Sequence, residues 1–277
     1  MTQTLSQVVV QVTPQMAKEW LERANSHGFN RRLKRRAVER YAADMRAGRW
    51  QLNGEPIIFG DAGGGDVLLL DGQHRLHAVV RAGVTVAMAV TRGVDVDAFL
   101  TIDSGVVRGP GDVMSILGER DPQTLSTALA CVGNFRAHGT PYYGTPPTKS
   151  ELEELLQTLP KIRDSVRVAR ANRTRLLSPA VVAFAHFVFS KDDRRDEAKA
   201  TEFVELLGCG SGLEEGHPVL LLRQRLIDQR GAANKLDRRA VVYLLFRAWN
   251  GFRRGERLRL LKVPAFEGCA PTLPKVL

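Results

Sequence analysis

The apolar run Leu68-Leu69-Leu70 stops at Asp71-Gly72 and gives way to Gln73-His74-Arg75-Leu76-His77-Ala78-Val79-Val80, in which Leu76, Val79 and Val80 recur at helical spacing. That change of period within a few residues predicts a strand over 67–70, a tight turn and the start of a helix. With Gly72 in a conformation closed to other residues, and the amides of Gln73, His74 and Arg75 in the first helical turn, such a turn is an anion site. Arg75 then supplies a charge-assisted clamp. Phosphate is the ligand that this arrangement predicts.

Upstream, Val8 to Val12 reads as a first strand, and Thr13-Pro14 as an N-cap followed by proline at the first helical position. The helix from Pro14 to about Asn25 has Met16, Trp20 and Leu21 on its expected buried side. Residues 31–40 hold six cations: Arg31, Arg32, Lys34, Arg35, Arg36 and Arg40. Leu33, Ala37, Tyr41, Ala42 and Met45 fall on the opposite side of that helix, so one face is for the core and the other is densely basic. The basic face reads either as a solvated surface partly neutralised by Glu39 and Asp44, or as a contact for phosphate or nucleic acid through Arg32, Arg35, Arg36 and Arg40. Ile57-Ile58-Phe59, a glycine-rich turn over 60–66 and Val67–Leu70 make a hairpin leading into the motif. The three consecutive glycines lack the Lys-Ser or Lys-Thr of a phosphate loop and read as a plain turn. Val84–Val90 is a further strand, and a short helix is expected from Val94.

Asp-Gly-Gln-His-Arg-Leu, preceded by Gly54-Glu55-Pro56-Ile57-Ile58-Phe59 and followed by Ala78 and Ala82-Gly83-Val84, resembles the nucleotide-binding core of the ParB/sulfiredoxin-like superfamily. The variant is that of DGQHR-type and phage or mobile-element ParB-like proteins, and the resemblance covers roughly residues 8–110. It implies an α+β fold with a small mixed sheet and helices over residues 1–114, while helical apolar spacing beyond a boundary between Gly109 and Pro122 predicts a mainly helical bundle domain over 115–277. It also implies a bound nucleoside triphosphate, ATP or CTP, with Mg. Such domains place an arginine ahead of the basic helix; Arg31 in Asn30-Arg31 is the nearest match, without the proline-rich form of that segment. Within the resemblance, Asp103, Ser104 and Arg108 lie in the segment that follows the core sheet, which reads either as part of the site or as a capped turn.

Sulfiredoxin chemistry is set aside, because it needs a thiolate inside the turn and Gln73 stands there. For the rest, Gly72, Gln73, His74 and Arg75 would hold phosphates, and His74 would donate to a phosphate oxygen or position water. Asp71 would coordinate a divalent ion or orient the turn. Asp71 and Asp103 sharing a metal would instead make a nuclease.

Formal net charge of +10, from 40 Lys and Arg against 30 Asp and Glu, favours a polyanionic partner such as DNA. Cys131, Cys209 and Cys269 have neither metal-ligand spacing nor a disulfide pattern, which suits a reducing cytoplasm. With no signal-peptide pattern and no long apolar run, a soluble cytoplasmic protein without membrane contact is expected. Three functions stay open: a nucleotide-binding enzyme acting with DNA by hydrolysis or related phosphoryl chemistry, a partition-like or regulatory DNA-binding module switched by nucleotide, and a scaffold. A homodimer also stays open.

In the second half, Leu125 to Phe135 marks an amphipathic helix stopping near Gly139, and Thr148 with Glu151 is a capping box. The Tyr142-Tyr143 pair in the intervening loop is a base-stacking candidate set against ordinary packing. Val181 to Phe189 is apolar nearly all round and is expected at the centre of a bundle, with His186 as a hydrogen-bonded core histidine. A last helix over Leu236–Trp249 is expected to end at Asn250-Gly251. Arg238-Arg239 and Arg253-Arg254 flank it.

Overall fold

In this computed structural model the described residues are 5–24, 33–61, 67–102, 109–142, 146–190, 194–231, 236–264 and 272–277. Among the sites expected from sequence, Arg31, Arg32, Asp103, Ser104 and Arg108 lie outside them, as does Tyr143. The fold is mixed α+β and divides into two compact units, Met1–Val107 and Arg108–Leu277. The sequence-based boundary at 114/115 falls inside a helix, Pro110–Ile116, which the observed division keeps whole within the second unit.

The first unit holds strands β1 (Ser6–Val12), β2 (Ile57–Asp61), β3 (Val67–Asp71) and β4 (Val86–Asp95), with helices α1 (Pro14–Ala24), α2 (Arg35–Arg46) and α3 (Gln73–Ala82). The sheet order is β1-β4-β2-β3. β4 runs antiparallel to β1, with Val10 opposite Met88, and parallel to β2, with Ile57 opposite Val90. β2 and β3 form an antiparallel pair with Phe59 opposite Leu69. Alternation then sends Ile57, Phe59, Leu69, Met88 and Val90 into one core with Leu76 and Val79 of α3. Each such side chain contributes roughly 1.5–3 kcal/mol on burial.

Local detail differs from expectation at three places. In α1, Trp20 and Leu21 pack against the core as expected, Trp20 meeting Phe59 edge-on at 5.3 Å, but the deepest residues are Ala17 and Ala24, whose small side chains permit the close approach. In α2 the buried set is Val38, Ala42 and Met45, while Leu33 precedes the helix and is exposed. β4 continues to Asp95, since Val94 and Asp95 pair with Gly60 and Asp61 of β2, and a 3-10 helix begins only at Val96.

The second unit is helical: α4 (Pro110–Ile116), α5 (Pro122–His138), α6 (Lys149–Thr158), α7 (Ile162–Ala171), α8 (Pro179–Ser190), α9 (Arg194–Cys209), α10 (Pro218–Gly231) and α11 (Arg238–Arg253). The capping box forms, with Glu151 N–H donating to Thr148 Oγ1 at 3.1 Å and Thr148 N–H donating to Glu151 Oε2 at 2.8 Å. α8 buries Val182, Phe184 and Phe189, and the Phe189 ring stacks on Trp249 at 4.5 Å between centroids. Contrary to expectation, α11 runs through Asn250-Gly251. The Asn250 amide is directed to the C-terminal tail, donating to Lys275 O and accepting from Leu277 N–H. A Cβ on Gly251 would come within 3.2 Å of Leu258 and Pro218, so the glycine serves a close crossing and not a helix stop.

Candidate functional site

β3 ends at Asp71, Gly72 takes a left-handed conformation (φ 106°, ψ 3°), and α3 begins at Gln73. Two independent constraints require glycine here. The positive φ is strained for any L side chain, and a Cβ would lie 2.5 Å from Ile57 Cδ1 on the neighbouring strand. Leu76 N–H donates to Gly72 O at 3.0 Å and closes the first turn. Gly72 has no side chain with which to cap that turn.

The side chains of Gln73, His74 and Arg75 are all buried. The Arg75 guanidinium reaches back to the chain entering β2: it donates to the carbonyls of Glu55 and of Pro56, the latter at 2.9 Å, and to Asp71 Oδ2 at 2.7 Å. Arg75, expected as an open phosphate clamp, therefore holds β2 and the turn together. Asp71 shares that bond while its side chain keeps a third of its exposure. Among the described residues no group of three His, Cys, Asp or Glu side chains could hold a metal.

His74 Nε2 accepts the Lys34 amide N–H at 3.0 Å. An accepting Nε2 carries no proton, so the ring is neutral with its proton on Nδ1. The bond ties the motif to the residue preceding α2, whose Arg35, Arg36 and Arg40 are exposed. Between α2 and α3 lies a groove of about 420 Å³ lined by Leu33, Arg35, Val38, Glu39, His77 and Arg81. Burial lowers the pKa of His77 from its ordinary value, and Arg81 pairs with Glu39 at 2.9 Å across the groove. Sequence reasoning passed over this groove, although His77 stands three residues after His74 and so on an adjoining part of the same helical surface.

Elsewhere, His186 is a buried core histidine. Ser165 Oγ lies 2.9 Å from its Nδ1 and Thr201 Oγ1 lies 3.0 Å from its Nε2, and burial pushes its pKa down to about 4. Tyr142 packs against the helical core, and its carbonyl accepts from Arg239 at 3.0 Å. Of the other arginines flanking α11, Arg253 pairs with Asp196 and Arg254 with Glu256. No protein-family model matches the chain, and no curated protein matches it.

Proposed function

We propose that the first unit binds a nucleoside triphosphate, ATP or CTP, by its phosphates at the Gly72–Arg75 turn, and that the protein acts with DNA through slow hydrolysis or a related phosphoryl reaction. The observation that carries this reading is the left-handed Gly72, held against Ile57 and opening α3, which aims a helix N-terminus out of a strand end. Arg75 acts as a positioning residue, fixing the turn by its three bonds. His74, with its ring in the Nδ1–H form, would donate to a phosphate oxygen or position water. Asp71, the carboxylate at the turn, would join the coordination of an Mg bound to the nucleotide's phosphates, which would neutralise their charge. The exposed arginines of α2 and the net charge of +10 support a DNA partner.

The engagement of Asp71, His74 and Arg75 in protein contacts favours a second reading, a non-catalytic module in which nucleotide is only a switch. The two readings separate on incubating the protein with each nucleoside triphosphate, with and without Mg and duplex DNA, and resolving the products by charge. His74→Gln keeps an acceptor for Lys34. If the protein is an enzyme, this variant lowers turnover more than affinity. Absence of any product, together with saturable nucleotide binding, selects the switch; absence of both product and binding overturns the proposal.

A further inference from the structure

Helix α7 buries Ile162, Ser165, Val166 and Ala169, and its other face carries Arg163, Arg167 and Arg170 at intervals of four and three residues. Arg173 follows just beyond the helix. From Arg163 to Arg170 this stripe is about 10 Å long at 1.5 Å per residue. A groove of about 590 Å³ runs beside it, and the loop before α5 contributes Arg120, Glu119 and Asp121 to its lining. Among the described residues, five guanidinium groups against three carboxylates, counting Asp164, give the lining a net charge of plus two.

The carboxylates orient arginines as well as neutralising them. Glu119 takes Arg163 in a fork, 2.9 Å from Nε and 2.5 Å from Nη2, and that pairing holds its carboxyl below the usual range. Asp164 takes Arg167 at 2.7 Å, yet the Arg167 side chain stays 78% exposed. Asp121 occupies the N-cap of α5 in a left-handed conformation, φ 50° and ψ 49°, and makes no capping bond there; its carboxylate pairs with Arg170 at 2.6 Å. The positive end of the 17-residue α5 therefore adds to the field at this wall of the groove. Arg120 and Arg173 are exposed and pair with no carboxylate among the described residues.

We propose that this groove is a contact surface for the phosphodiester backbone of duplex DNA. The inference rests on the reading that the protein acts with DNA and adds to it a surface on the helical unit, separate from α2. Guanidinium forks suit phosphate oxygens, and a stripe of this length spans several charges of a duplex. Among the described residues no aromatic side chain lines the groove, so they offer no stacking platform of the kind that single-stranded nucleic acid uses.

The test is the binding of the full chain to a short fluorescent duplex, followed by anisotropy over a range of salt. The proteins compared are the wild type, Arg167→Glu with Arg173→Glu, Arg167→Lys with Arg173→Lys, and Arg36→Glu with Arg40→Glu. The Glu pair at positions 167 and 173 is expected to weaken binding roughly tenfold or more at low salt and to flatten the log–log salt dependence by about 1.8, the value for two lost phosphate contacts. The Lys pair retains most of the binding, and both pairs at 167 and 173 keep the wild-type circular dichroism. Wild-type affinity in the Glu pair, with binding lost in the α2 pair, overturns this surface while leaving the DNA reading intact. No salt-sensitive binding by the wild type overturns both. Tighter wild-type binding to single-stranded RNA than to the duplex, abolished by the Glu pair, also overturns the assignment to duplex DNA.

Discussion

Arg75 donates to Asp71 Oδ2 at 2.7 Å, from the first turn of α3 back to the end of β3, while the same guanidinium holds the carbonyls of Glu55 and Pro56. Removing it leaves two backbone acceptors and a carboxylate without their donor. Arg75→Ala is therefore expected to lower stability by about 3 kcal/mol, the lower end of the cost of breaking a buried pair, since Asp71 is a third exposed. Urea unfolding measures this directly. A wild-type midpoint and slope in the variant would show that the guanidinium does not hold the turn.

Gly72→Ala meets both a φ of 106° and a Cβ contact of 2.5 Å to Ile57 Cδ1. A cost of roughly 1–3 kcal/mol is expected from the backbone strain alone, with the collision adding to it. Ile57→Val removes the colliding methyl, so Gly72→Ala should cost less in that background than in the wild type. A double-mutant cycle in urea checks the coupling. Strict additivity would mean that the two residues do not touch.

His186 makes stability depend on pH. Its folded-state pKa is about 4 against 6.5 for the free side chain, so on acidification the unfolded chain takes up the proton first. The stability gained by keeping the ring neutral is present above about pH 6.5 and is lost as pH falls towards 4, a total on the order of 3 kcal/mol. His186→Gln should be less stable than wild type at neutral pH and should lose less stability between pH 6.5 and 4. Urea curves at several pH values compare the two proteins. Parallel pH profiles would rule out a depressed pKa at this position.

What could be read from the chain alone was set by local rules. The change of period at Asp71-Gly72 placed the strand end and helix start, and Thr13 caps α1 as its position before Pro14 implies, with Oγ1 accepting Met16 N–H at 3.1 Å. The partners of the motif side chains were not legible, because Arg75 is satisfied by carbonyls about twenty residues upstream and His74 by an amide forty residues away. β4 outran its apolar pattern because pairing with β2 holds Val94 and Asp95 in the sheet. α7 was legible in the chain, because Ile162, Val166 and Ala169 recur at intervals of four and three with Arg163, Arg167 and Arg170 opposite them. What the chain does not show is why Ser165 is buried, since its partner is His186 on α8.

The claim that the Gly72–Arg75 turn receives nucleotide phosphates is tested most directly by following the backbone amide resonances of the isotopically labelled protein as ATP or CTP is titrated in with Mg. Saturable shifts concentrated on Gln73, His74, Arg75 and Leu76 are expected, with inorganic phosphate moving the same amides more weakly. Shifts confined to other parts of the chain, or no saturable shift with either nucleotide, would contradict it.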